Sequence, residues 1–230
     1  LALYAIGDLH FGKAVNKPMD IFGDNWDNHT QKIIDNWKKT VNNDDTVLIA
    51  GDISWGINLN EAMPDLQDIH NLPGKKILVK GNHDYWWATI TKLNKLFDDM
   101  KFLQNNYYIY KDYAICGTRG WICPNKNKFD EEDEKIYKRE IQRLRLSLDM
   151  AKKDGFEKII VMTHYPPTND DLEESEFTKT YKQYNVKKVV YGHLHGKEFF
   201  KYALEGNKDG IDYTLVSCDY TDFKLVKIME

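Results

Sequence analysis

Five times in this chain a short apolar run ends abruptly in a small residue followed by a chemically capable one. Residues 3–6 stop at Gly7-Asp8, 47–50 at Gly51-Asp52, and 77–79 just before Gly81-Asn82. Residues 159–162 stop at Thr163-His164, and 189–191 at Gly192-His193. Runs this short, rich in β-branched residues and closed by glycine, read as buried strands. Helical patterns separate them at 27–41, with Ile33, Ile34 and Trp37 on one face, and at 59–69, 84–97 and 130–153. The last opens on Asp130 as N-cap, with acids in the first turn where the helix dipole favours them. Its Glu131, Lys135, Arg139 and Arg143 follow i,i+4 spacing and read as a salt-bridged, solvated face. Alternating strands and helices predict an α/β fold. From residue 199 the pattern turns hairpin-like, with Gly206-Asn207-Lys208-Asp209-Gly210 as the turn between two strand-like runs. With no internal repeat and no Pro/Ser-rich linker, residues 1–230 read as one domain.

A chain of 230 residues that is 42% hydrophobic can bury a sizeable core. Its net charge of -4 argues against a broad nucleic-acid or anionic-membrane footprint, which needs a basic excess. Cys116, Cys123 and Cys218 are odd in number and lack a C-x-x-C spacing, so they read as reduced thiols. No stretch approaches the roughly 20 apolar residues of a membrane span. No signal-like start is present, and the expectation is a soluble cytoplasmic protein.

The chemistry concentrates where the apolar runs stop. Five of the seven histidines lie there. Ligands of α/β sheets gather beyond the carboxyl ends of strands, and these tips supply Asp8, His10, Asp52, Asn82, His83, His164, His193 and His195. Asp8 and His10 are two apart, as are His193 and His195; in extended backbone each pair would point to one side. A lone histidine is ordinarily a core or surface residue, but five placed alike are hard to obtain by chance. Carboxylates, imidazoles and an amide, without thiolate, suit manganese, iron, cobalt or zinc. The ligand set exceeds one tetrahedral shell, and two metals sharing a carboxylate account for it better.

The motifs GDLH (7–10), GDIS (51–54), GNHD (81–84), THYPP (163–167) and GHLHG (192–196) resemble, in that order, those of the calcineurin-like metallophosphoesterase superfamily. The resemblance implies an α/β four-layer sandwich of two mixed β-sheets flanked by helices. It also implies a dinuclear centre of divalent transition metals, manganese, iron or zinc. Asp8, His10 and His195 would bind one ion and Asn82, His164 and His193 the other, with Asp52 bridging. His83 would touch the substrate phosphate as a catalytic non-ligand, and Asp84 would orient it. The implied reaction is hydrolysis of a phosphomonoester or phosphodiester, by attack of a metal-bridging hydroxide. Two divalent ions outweigh the charges of Asp8 and Asp52 and leave the centre ready for phosphate.

Around this set, Tyr85, Trp86 and Trp87 read either as walls of a substrate pocket, Trp86 foremost, or as aromatic packing. The superfamily's protein phosphatases carry an arginine shortly after the second aspartate. Here the stretch is Gly51-Asp52-Ile53-Ser54-Trp55-Gly56, which argues against that substrate class. Arg119 is the nearest replacement as a phosphate clamp; otherwise it braces its loop. His29 and His70 read as cap or solvent residues, with Asn25, Trp26 and His29 within reach of a rim. Asp170, Asp171, Glu173 and Glu174 read as an acidic loop leading into a helix. A small phosphoester is the expected partner. Two further readings stay open: a nuclease, disfavoured by the acidic balance and lack of an aromatic-basic track, and an inactive binding scaffold, which should have lost ligands.

Overall fold

The computed structural model describes residues 1–126 and 128–230. Its strands are β1 (Leu3–Ile6), β2 (Thr46–Ile49), β3 (Lys75–Val79), β4 (Met100–Leu103), β5 (Tyr108–Tyr110), β6 (Tyr113–Thr118), β7 (Lys158–Thr163), β8 (Val186–Tyr191), β9 (Gly206–Lys208), β10 (Ile211–Leu215) and β11 (Val226–Met229). The helices are α1 (His29–Thr40), α2 (Leu59–His70), the single turn α3 (Ile90–Leu93), α4 (Glu131–Lys153) and α5 (Glu176–Gln183).

The strands form two mixed sheets, ordered β11-β1-β2-β3-β4 and β5-β6-β7-β8-β10-β9. Within each, the central strands run parallel, while β11, β5 and β9 add antiparallel edges. Side chains alternate between two cores, as period-2 geometry requires. Leu3 and Ala5 of β1, Leu48 of β2, Ile77 and Val79 of β3, and Ile160 and Met162 of β7 fill the space between the sheets. Ile6, Val47, Ile49 and Leu78 face outward onto Ile33 and Trp37 of α1 and Leu66 and Ile69 of α2. Ile159 and Val161 face Leu144 and Leu148 of α4 and Phe177 and Tyr181 of α5. The result is helices, sheet, sheet, helices. Because both faces of these strands are covered, their sequences are continuously apolar.

Three local expectations differ. The helix expected at 84–97 shrinks to α3, since the Asp84 carboxylate is engaged by other loops and residues 84–87 form a tight turn, Trp87 N donating to Asp84 O at 3.2 Å. The five-residue turn at 206–210 is tighter: Gly206–Lys208 is strand, and only Asp209 (φ 56°) and Gly210 (φ 79°) turn. Two successive positive φ angles match the twist of a two-residue hairpin. Third, Asp8, His10 and His193 are not extended; their φ angles are 60°, 46° and 74°.

Among the described residues, no helix is long and apolar enough to cross a membrane. All three cysteines are free and buried, and burial pushes the Cys116 and Cys123 thiols up to about 12.

Candidate metal centre and substrate cleft

At one end of the sandwich, the loops leaving β1, β2 and β3 meet those leaving β7, β8 and β10. The sheets are stitched together there: Gly7 N donates to Val216 O (2.7 Å) and Cys218 N to Gly7 O (3.1 Å). The ladder between β1 and β2 continues past both strands, through Asp8 N to Gly51 O and His10 N to Asp52 O, both 2.9 Å. Asp8, His10, Asp52 (φ 50°) and His193 all hold left-handed backbone. Such conformations cost of order 1–3 kcal/mol each and cluster at functional sites. The loops also need glycine. A Cβ on Gly51 (φ 87°) would stand 2.7 Å from His164 Nδ1, and one on Gly81 would collide with Asp52.

The side chains so placed form two donor sets. In one, His195 Nε2 lies 3.2 Å from Asp8 Oδ1 and 3.4 Å from His10 Nε2. In the other, Asn82 Oδ1 lies 2.7 Å from His164 Nε2 and 3.0 Å from His193 Nδ1, and the two ring nitrogens are 3.2 Å apart. Asp52 Oδ2 stands between the sets, 3.7 Å from His10 Nε2 and 3.5 Å from His164 Nε2. Asp8 also reaches toward the second set, with Oδ1 3.8 Å from His164 Nδ1. The donor atoms of Asp8, His10 and His195, and likewise of Asp8, Asp52 and His164, lie within 4.8 Å of one another.

The outer nitrogens are already committed. His164 Nδ1 donates to Ala50 O at 2.9 Å, and His195 Nδ1 to Asp219 Oδ1 at 3.0 Å. This leaves Nε2 of each ring facing inward, the usual outer-shell arrangement around a metal-binding histidine. Convergent imidazole, carboxylate and amide donors fit a borderline divalent cation.

The electrostatics agree. Burial lowers His10, His164 and His193, the last to about 3. These rings are neutral bases at pH 7. Burial and the neighbouring Asp8 charge push Asp52 up to about 8. His195 rises to about 10 despite burial, held by Asp8 and Asp219. Asp8 falls below the carboxylate range despite its burial, chiefly through His195.

His83 sits beside the two sets. Its backbone N donates to Asp52 Oδ1 (2.8 Å), while its half-buried ring lies 4.6 Å from Trp55 and 5.8 Å from His10, centroid to centroid. Among the described residues its ring nitrogens take no hydrogen bond. Asp84 therefore does not orient that ring. Its buried carboxylate accepts from Ile53 N (2.8 Å), Ser54 N (3.2 Å), Gly81 N (2.7 Å) and Trp86 Nε1 (3.0 Å), clamping the β2 and β3 loops together. Trp86 is buried in the core, and the cleft wall is built from other aromatics. Arg119 also lies outside the cleft. It stacks on Trp121 at 4.6 Å and pairs loosely with Glu140 at 3.7 Å. His70 is remote, bonded to Asp99 and stacked on Phe97, whereas His29 contacts the site through His10 O at 3.2 Å. The acidic residues Asp170, Asp171, Glu173 and Glu174 do not line the cleft.

That cleft, about 840 Å³, opens onto His10, His83 and His195 and is walled by Met19, Phe22, Trp26, Trp55, Phe199 and Phe223. Trp55 stacks on His10 at 4.8 Å, and Trp26 packs edge-on to His195 at 5.6 Å. A larger concavity of about 980 Å³ lies over α4, but it gathers no histidine, so the smaller cleft is the chemically equipped one. Sequence reasoning missed Asp219, which also accepts from Gly196 N at 2.9 Å. Its signal was present: an acid just beyond the apolar run 215–216, as Asp8 and Asp52 follow theirs.

A calcineurin-like phosphoesterase family profile matches residues 1–197. The "Gene 66 protein" of Mycobacterium phage D29 is 26% identical over 191 residues, 83% of this chain and 76% of that protein. Two solved structures share the fold. Phosphopantetheinyl hydrolase from Mycobacterium tuberculosis has a TM-score of 0.62 at 15% identity, covering 99% of this chain and 95% of that one. A protein of unknown function from Aquifex aeolicus has 0.51 at 20% identity, covering 98% and 95%.

Proposed function

The chain belongs to the calcineurin-like phosphoesterase family, and from that premise we propose that it hydrolyses a small phosphoester at a dinuclear metal centre. The observation that carries the reading is the pair of donor sets on either side of Asp52, with His83 beside them and outside both. Asp8, His10 and His195 would hold one divalent ion and Asn82, His164 and His193 the other, with Asp52 shared. Held by these residues, such ions would supply Lewis-acid charge for the phosphoryl oxygens and activate a water as nucleophile. The protein's own part is positional. His164 and His195 are locked by Ala50 and Asp219 and cannot turn away. His83, whose ring takes no hydrogen bond among the described residues, would protonate the leaving oxygen or bind a phosphoryl oxygen. Burial lowers its pKa.

The cleft supports a narrower reading of the substrate. Its walls are aromatic, and its lining sets Lys197 among Glu198, Asp219 and Asp222, with Lys17 Nζ 4.7 Å over the Trp55 ring. A nucleic-acid strand needs a basic track; this surface favours a small ester with a flat or apolar group. The test is turnover by manganese-loaded protein on a panel of an aryl monoester, an aryl diester, a cyclic nucleotide, a phosphopantetheinyl ester and single-stranded DNA. Trp55→Ala should raise KM for the aryl esters about tenfold, roughly 1.4 kcal/mol of lost contact. Activity confined to DNA would overturn the small-ester reading, and no turnover on any member with metal bound would overturn hydrolysis.

A further inference from the structure

Apart from the aromatic cleft, where the ends of β3, β4 and β6 meet α4, four cations surround one carboxylate. Glu140 of α4 is fully buried, and both of its oxygens are satisfied: Thr118 Oγ1 donates to Oε2 at 2.5 Å and Arg143 Nη1 to Oε1 at 2.8 Å. Arg119 Nη2 and Arg139 Nε stand 3.7 Å from Oε1, too far to hydrogen-bond. Arg119 Nε is buried without an acceptor, and half-buried Lys80 has no ion-pair partner among the described residues. With Gln104 and Asn105, these groups line a concavity of about 220 Å³ that shares no lining residue with the aromatic cleft. Lys80, Arg119, Arg139 and Arg143 against Glu140 leave a net charge of +3 in one small hollow.

A purely structural role explains Arg143, which a buried glutamate requires. It does not explain three further cations drawn together where, among the described residues, no second acid lines the hollow. Such crowding is unfavourable unless an anion relieves it, and guanidinium forks match tetrahedral oxyanions. The hollow is smaller than the roughly 300–1,000 Å³ of sites for drug-sized ligands.

We propose that this concavity binds a phosphate-type oxyanion at a second site, separate from the metal-ligand cluster. It would bear directly on the catalytic loops. Lys80 immediately precedes Gly81-Asn82-His83, and the Arg119 carbonyl accepts from His164 N and Tyr165 N, both at 3.0 Å. The oxyanion is either the far phosphate of a substrate that carries two or free inorganic phosphate.

The test is calorimetric titration of inorganic phosphate into metal-loaded protein, wild type against Lys80→Gln/Arg139→Gln. Neither residue touches the metal-ligand set, and the Arg139 side chain is half exposed, so the fold should hold. Wild type should take up one more phosphate than the variant, whose affinity at this site should fall more than tenfold. Arg143→Lys, which keeps charge beside Glu140, should retain the site, and thermal melts of both variants check folding. Identical isotherms for wild type and the double variant would overturn the proposal. Kinetics then assign the source. A loss in kcat/KM of tenfold or more on an ester with a second phosphate, but not on nitrophenyl phosphate, identifies the substrate's far phosphate. Unchanged kcat/KM on both esters, with phosphate uptake lost, identifies free phosphate. The calorimetric result stands whether or not the protein proves hydrolytic.

Discussion

His83 is where a single residue says most about mechanism. It lies beside both donor sets without joining either, so His83→Asn should keep the full metal content. If its ring protonates the leaving oxygen, an alkyl phosphoester should slow by about 10²–10⁴, the range for a general acid. A nitrophenyl ester, whose phenolate leaves without help, should slow far less. Equal losses on both would assign His83 to charge stabilisation of the phosphoryl oxygens instead. A second prediction concerns protons. In the metal-free site Asp52 titrates near 8 and His195 near 10, so at pH 7 both are protonated. Metal needs both as bases. Loading at pH 7 should therefore expel about two protons, and log affinity should climb by about two per pH unit below 8 and about one between 8 and 10. Titrations in buffers of different ionisation enthalpy read this directly; metal uptake without proton release would contradict it. The candidate donors that the fold brings together were legible in the sequence because they follow apolar runs. Their backbone was not: two-residue spacing suggested extended chain, whereas Asp8, His10 and His193 reach the centre through left-handed turns. Nothing in residue order announces a positive φ at aspartate or histidine.

Among the elements, the loops after β2 and β3 matter most, and Asp84 is their joint. The sequence suggested an acid that steadies His83; the structure gives it four N–H donors from the two loops and Trp86. Asp84→Asn replaces one acceptor oxygen with a donor facing donors. It should destabilise the protein by about 2–3 kcal/mol, the cost of unsatisfied buried partners, and lower activity on alkyl and nitrophenyl esters alike. A melt unchanged from wild type, with selective loss on the alkyl ester, would restore the imidazole-orienting role. The same contacts explain the misread helix at 84–97: Asp84 offers a helix-cap signal, but its carboxylate is used elsewhere. The strands β1, β2, β3, β7 and β8 were legible because both faces are buried. β4, β5 and β6 were not delimited, since Asn105, Asn106, Lys111 and Asp112 break up their apolar signal. The cap of α4 was read correctly, Asp130 accepting from Glu132 N and Asp133 N.

On the scale of the whole molecule, the centre spans a seam. Asp8, His10, Asp52 and Asn82 come from loops of one sheet, and His164, His193 and His195 from the other. Ions bound there would tie the sheets together, and what binds only the folded state stabilises it by mass action. At a hundredfold excess over Kd this amounts to about 2.7 kcal/mol, a rise in Tm of roughly 5–10 °C for a chain of this size. Chelation should reverse the shift. The five ordered motifs made the family legible, yet the aromatic cleft was not, because Met19, Phe199 and Phe223 come from segments distant in sequence that only the fold assembles. The central claim is that two ions share Asp52. Elemental analysis with X-ray absorption on wild type and Asp52→Ala tests it most directly. The account predicts close to two ions per wild-type chain, roughly 3.5–4 Å apart, and a larger loss of metal in Asp52→Ala than in any variant of a ligand serving one ion. One ion per chain, with metal content unchanged in Asp52→Ala, would contradict it.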